Sequence, residues 1–316
     1  MATLMLVLAI IAQDANPATL SGHTADVSQI AFSPDGKLLA SSGADFVIRI
    51  WDLAAGKEAT TISALKMAPE ALAFSRDGKL LAAGLHSKIQ LWEIAAGTGV
   101  GSLETRFSPI TRLAFANDGK ILLAGGPNGQ VEVYDFTESR LLRTFQAGRL
   151  MPEFSADGSM IAAIQAQLLP FKDPVTGKLM GAASTQRVAF WDPPAGKQLR
   201  TLEVPTGGIG LSPDGRRIAV VGFGGGRILA IETGKEVGTF TGGETRPIGA
   251  PQFSADGKTL CAPLVNSESV ILWDAATLKE RRVVETPGRR QSNVFISPDG
   301  KTLAWLVGRD IKIRRE

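Results

Sequence analysis

The sequence predicts an all-β ring: a seven-bladed β-propeller of four-stranded antiparallel blades, closed by the N-terminal strand. Three observations predict it. An Asp-Gly pair recurs seven times at near-constant spacing. Each pair is followed by an apolar run and then by a second strand that ends on an aromatic–acid pair or its relic. The last repeat ends before its fourth strand. A fixed period of about forty residues marks a repeat architecture.

The turns read FSPDG (Phe32 to Gly36), FSRDG (Phe74 to Gly78), FANDG (Phe115 to Gly119) and FSADG (Phe154 to Gly158). They continue as LSPDG (Leu211 to Gly215), FSADG (Phe253 to Gly257) and ISPDG (Ile296 to Gly300). Their aspartates, Asp35, Asp77, Asp118, Asp157, Asp214, Asp256 and Asp299, stand 42, 41, 39, 57, 42 and 43 residues apart. Asp-Gly between two β-prone runs is a hairpin signal.

The run after each turn, such as LLASS, LLAAG or TLAWLV, is apolar on both faces. A one-sided sheet does not need that; blades stacked face to face around an axis do, because their central strands are covered on both sides. The following strands are VIRIWD (to Asp52), KIQLWE (to Glu93), QVEVYD (to Asp135), RVAFWD (to Asp192), RILAIE (to Glu232), VILWD (to Asp274) and IKIRR (to Arg315). No window sustains helical periodicity.

Composition narrows the function classes. The 316 residues are 44% hydrophobic and 21% charged, which fits an ordered globular chain. A net charge of +3 with no polybasic run speaks against a nucleic-acid binder. Cys261 is the single cysteine, so intramolecular disulfides and thiolate metal clusters are excluded. Leu4 to Ala12 reads LMLVLAIIA, too short to span a bilayer and suited to the core of a secretory signal over residues 1–15, with Ala12 or Ala15 at the cut. No Lys or Arg precedes that core, so an extra strand or a frayed terminus is the other reading. The first reading places the chain outside the cytoplasm, secreted or periplasmic; the second leaves it cytoplasmic.

Residues 16–316 resemble the WD-repeat family. The first repeat carries the likeness best: Gly22-His23 stands at the family's Gly-His position and Ile50-Trp51-Asp52 matches its closing strand. The resemblance implies a structural hydrogen-bond tetrad of His23, Ser41, Asp45 and Trp51. Later repeats depart from the pattern: none repeats Gly-His, the fifth has Ala230-Ile231-Glu232 for the Trp-Asp end, and the seventh has Arg314-Arg315. Those blades are expected to be held mainly by packing. The Ser-Pro-Asp-Gly-Lys/Arg wording is also similar to bacterial propellers with Pro-Asp repeats. Asn16 to Leu20 stand where the family puts a fourth strand, so this segment is expected to complete the last blade and hide an open edge.

In this family the d–a and b–c loops open on one face, called the top, where a partner is expected. One b–c connection, in blade four, is long. Its extra segment, 165–187, reads QAQLLPFKDPVTGKLMGAASTQR and carries Leu168, Leu169, Phe171, Leu179 and Met180. It reads either as a recognition loop or lid, or as an insertion folded onto its own blade. The d–a loops carry Arg106, Arg149, Arg246, Arg289 and Arg290, which either grip an acidic partner or are solvated.

The glycine run Gly222 to Gly226 lacks the helix and Gly-Lys-Ser/Thr of a phosphate loop and reads as a tight turn. Of the two histidines, His23 belongs to the implied tetrad, and His86 reads as a solvated b–c loop residue. No HExxH or G-x-S-x-G occurs. The acidic loop residues Asp26, Asp45, Glu268 and Asp310 show no catalytic spacing. The expectation is a monomeric, non-catalytic scaffold for a protein or peptide, acidic in part, with no cofactor, metal, nucleic acid or transmembrane span. The alternative is a propeller hydrolase or lyase with a site over the central channel.

Overall fold

The Asp-Gly turns share one geometry. In the computed structural model, which describes residues 17–63, 65–116, 119–172, 179–205, 207–222, 225–241, 248–288 and 294–315, their glycines all take φ between +64° and +71°. Side chains with a Cβ resist that left-handed conformation, and glycine does not. Six turns add a side-chain lock. In the first, Ser33 Oγ donates to Asp35 Oδ1 at 2.7 Å, Lys37 N–H donates to the same oxygen at 3.1 Å, and Leu38 N–H donates to Ser33 Oγ at 2.9 Å. The Ser–Asp bond recurs at Asp77, Asp157, Asp214, Asp256 and Asp299. The third turn has Ala116 at the serine position.

Among the described residues, 28 strands form seven antiparallel sheets of four, and no helix occurs. Blade one consists of strands a (Val27–Phe32), b (Leu38–Gly43), c (Ile48–Asp52) and d (Lys57–Ile62). The core lies between blades rather than within them. Along strand b, Leu39 joins the cluster with Leu306 and Ile311 of blade seven, while Ala40 joins the one with Leu81 and Trp92 of blade two. Alternate side chains thus face opposite neighbours, which is why these runs are apolar at successive positions. Burying each leucine or isoleucine fully contributes about 1.5–3 kcal/mol.

The ring closes through the N-terminal segment. Ala18–Leu20 pairs antiparallel with Asp310–Arg315, in the register Ala18↔Ile313, Thr19↔Lys312 and Leu20↔Ile311. It forms strand d of blade seven, and Leu20 is buried against Ile311 and Ile313. The candidate signal segment, 1–15, lies outside the described residues.

Two expectations are corrected by the strands. In blade five, strand c ends at Ala230, with a bulge between Ile228 and Leu229. Blade one has its bulge between Ile50 and Trp51. Aligning the bulges puts Leu229 and Ala230, not Ile231 and Glu232, at the Trp51 and Asp52 positions. Backbone bonds agree: Ile231 N–H donates to Arg216 O as Leu53 N–H donates to Lys37 O. Glu232 therefore belongs to the c–d turn.

The blade-four insertion is not a loop throughout. Strands b (Ile161–Lys172) and c (Leu179–Asp192) run 12 and 14 residues and pair from Ile161↔Trp191 through Gln165↔Arg187 to Lys172↔Leu179. Pairing lets the insertion satisfy its own backbone donors and acceptors. At about 3.3 Å per residue, the ladder from Gln165 to Lys172 reaches roughly 20 Å beyond the blade.

Candidate functional site: the top face

In blade one, four side chains form a chain of hydrogen bonds under the top face. Trp51 Nε1–H donates to Ser41 Oγ at 2.7 Å. Ser41 Oγ lies 2.7 Å from His23 Nε2, and His23 Nδ1 lies 2.9 Å from Asp45 Oδ2. Asp45 also accepts Thr24 N–H at 3.0 Å. With Ser41 Oγ–H pointing at Nε2, the ring carries its proton on Nδ1. Burial lowers the His23 pKa, and the nearby Asp45 carboxylate only partly offsets this, so the ring is neutral near pH 7. Burial works to raise the Asp45 pKa, but the Thr24 N–H and His23 bonds outweigh it and hold the carboxyl below its usual value.

The later blades, expected to be held mainly by packing, add hydrogen bonds of their own. Blades four and six send an indole N–H to a backbone carbonyl of their own d–a loop: Trp191 to Ala147 O at 3.0 Å, and Trp273 to Thr241 O at 3.1 Å. Blade three uses Tyr134, whose hydroxyl donates to the Glu132 carboxylate and lies 2.9 Å from Glu104 O. Glu132 is fully buried and also accepts Arg106 N–H at 3.2 Å. Burial, then the Glu132 hydrogen bond, raises the Tyr134 pKa, so the phenol stays protonated as the donor.

The d–a loops of blades three and four carry Arg106 and Arg149 with exposed side chains. The Arg149 N–H donates to Ile164 O at 3.1 Å, tying its loop to the base of the blade-four hairpin. Arg246, Arg289 and Arg290 lie outside the described residues. Leu168, Leu169 and Phe171 have their backbones in strand b of that hairpin; their side chains lie outside the described residues. His86 is not simply solvated: it sits 2.7 Å (Nδ1) from Ser108 Oγ, linking the b–c turn of blade two to the d–a loop of blade three. No carboxylate bonds to His86 among the described residues.

Sequence reasoning missed the exposed apolar residues of this face. Phe46, Met67, Leu150, Met151 and Val265 are 39–48% exposed, all in d–a or b–c loops. The other exposed large hydrophobics among the described residues lie on outermost strands. Single apolar residues in loops carry no periodicity that would flag them.

Along the axis, Phe32, Phe74, Phe115 and Phe154 line a cavity of about 680 Å³. Arg112 and Glu153 pair within it at 3.1 Å. Asp35, Asp256 and Asp299 also line it, and each is bonded to its own turn serine.

The model of the WD domain, G-beta repeat family matches residues 16–52 and 97–135. The chain is 48% identical over 65 residues to small ribosomal subunit protein RACK1z of Arabidopsis thaliana, a stretch covering 21% of this chain and 20% of that protein. It is 48% identical over 68 residues to small ribosomal subunit protein RACK1 of Candida albicans, covering 22% of this chain and 21% of that one. An uncharacterised WD repeat-containing protein of Synechocystis is 42% identical over 67 residues, 21% of this chain and 19% of its own. The chain thus covers only about a fifth of each of these relatives.

Proposed function

We propose that the chain, which carries WD-domain repeats at residues 16–52 and 97–135, is a non-catalytic scaffold presenting its top-face loops to a protein or peptide. The observation that carries this reading is the set of exposed Phe46, Met67, Leu150, Met151 and Val265 in top loops. These side chains stand in loops that open on one face, where a bound partner would take them out of water. Arg106 and Arg149, exposed in d–a loops, favour a partner that is acidic in part, since arginine orients carboxylates and speeds encounter. Arg246, Arg289 and Arg290, with Leu168, Leu169 and Phe171 of the blade-four hairpin, extend the same proposed surface. His23, Ser41, Asp45 and Trp51 are proposed as its structural support. Relatives named as ribosomal subunit proteins support a role inside an assembly. The Pro-Asp wording of several turns supports placing the chain with bacterial propellers of that type.

The test compares the proteins recovered from source-cell extract by the wild-type chain and by a Met67→Glu, Leu150→Glu, Met151→Glu variant. Proteins retained by the wild type and lost by the folded variant support the reading; identical recovery rejects it. Where the chain acts turns on residues 1–15. N-terminal sequencing of the cellular protein reports a start at Gln13 or Asn16 for an exported chain and at Met1 for a cytoplasmic one. No helix among the described residues is long and apolar enough to cross a membrane.

A further inference from the structure

The acid that ends strand c has a structural task in four blades. Asp52 Oδ1 accepts Ala54 N–H at 2.8 Å and Ala55 N–H at 2.9 Å, capping the c–d turn. Asp135 caps Thr137 and Glu138, Asp192 caps Ala195, and Asp274 caps Ala276 and Thr277 in the same way. Blade five has Ala230 at this position, by the bulge register and by Gly234 N–H donating to Ala230 O. The matching donors, the N–H groups of Glu232 and Thr233, find no acceptor among the described residues, and both residues are exposed.

Ala230 and the turn after it line a groove of about 910 Å³ between blades four and five. Met160, Leu199, Ile231 and Val237 give it an apolar wall, with Leu199 and Val237 more than half exposed. Arg200 of blade four reaches across and donates to Glu232 O and to Thr233 O, fixing the turn from its carbonyl side. Arg216 is exposed and is held beside the turn by the Ile231 N–H bond to its carbonyl. Asp214 also lines the groove, but its Oδ1 already accepts Ser212 Oγ–H and Arg216 N–H.

We infer that this groove binds an aspartate or glutamate flanked by aliphatic residues in an extended segment of a partner protein. The partner carboxylate takes the place of the aspartate that blade five lacks. It accepts the two free turn N–H groups, Arg216 supplies the countercharge, and the flanking side chains cover Leu199 and Val237. The groove opens beside Asp-Gly and c–d turns, on the face opposite the top loops, so it is independent of the surface proposed above.

The test is fluorescence polarisation of the full chain with a fluorescein-labelled hexapeptide alternating leucine and aspartate, at pH 7 and low salt. Saturable binding is expected, with a Kd no weaker than about 1 mM. Ala230→Asp rebuilds the cap within the chain and should weaken binding about tenfold or more while leaving Tm unchanged or higher. Arg216→Glu should weaken it comparably, and so should a peptide with asparagine for aspartate. If Ala230→Asp does not fold, Arg216→Glu carries the same decision. No saturable binding, undiminished binding to the folded variants, or binding lost only on changing Met67, Leu150 and Met151 would overturn the inference.

Discussion

Trp51 and His23 meet at one atom: the Ser41 hydroxyl lies 2.7 Å from the indole nitrogen and 2.7 Å from the imidazole Nε2. That oxygen is buried and joins strand b to strand c and to the d–a loop. Ser41→Ala should leave both nitrogens unpaired and cost about 1–3 kcal/mol, measured by chemical denaturation. His23→Ala should cost a similar amount. Neither change should alter partner recovery in proportion.

The His23 network also sets a pH dependence. Its folded pKa lies below the usual 6.5, so the unfolded state takes up the proton first. The stability contributed by neutral His23 is therefore complete above about pH 6.5 and declines as pH falls through the folded value. Wild type should lose stability as pH falls below about 6.5, and His23→Ala should lose less over the same descent.

Asp274 behaves in the same direction at lower pH. Its pKa is pushed down from 3.8 to about 2, first by the Thr277 N–H and then by the Arg281 guanidinium. Its contribution is present above about pH 4 and lost as pH falls towards 2. A carboxylate NMR titration should find that low value, and Arg281→Ala should move it upwards.

Closure at the N-terminus is testable by truncation. Deleting residues through Leu20 removes three pairs to Asp310–Arg315 and bares that strand's edge. Melting temperature should fall and gel filtration should show association, whereas deleting residues 1–12 should change neither.

Repetition was legible because the left-handed φ of these turns favours glycine, which stands at that place in all seven. Ala18–Leu20 was legible because a ring with a missing strand must borrow one. The end of blade five was misplaced because it lacks the aromatic that marks the end of strand c elsewhere, and Glu232, two residues past Ala230, offered an acid in its place; its bulge stands where blade one carries its own. The bonds that replace the tetrad were hidden too: Trp191 and Trp273 use backbone carbonyls, and any residue supplies one. The length of the blade-four insertion was plain, but uncharged runs such as QAQLL and MGAAS do not announce whether they pair with each other.

The most direct test of the scaffold reading is photo-crosslinking with benzoylphenylalanine placed singly at Phe46, Met67, Leu150 or Val265 on the top, and at Val100 or Leu142 on the outer strands. Each labelled chain is irradiated in source-cell extract and its adducts are resolved by mass. The account predicts a shared protein adduct at two or more top positions and none at the outer strands. The same adduct at Val100 and Leu142, with none at the four top positions, would contradict it.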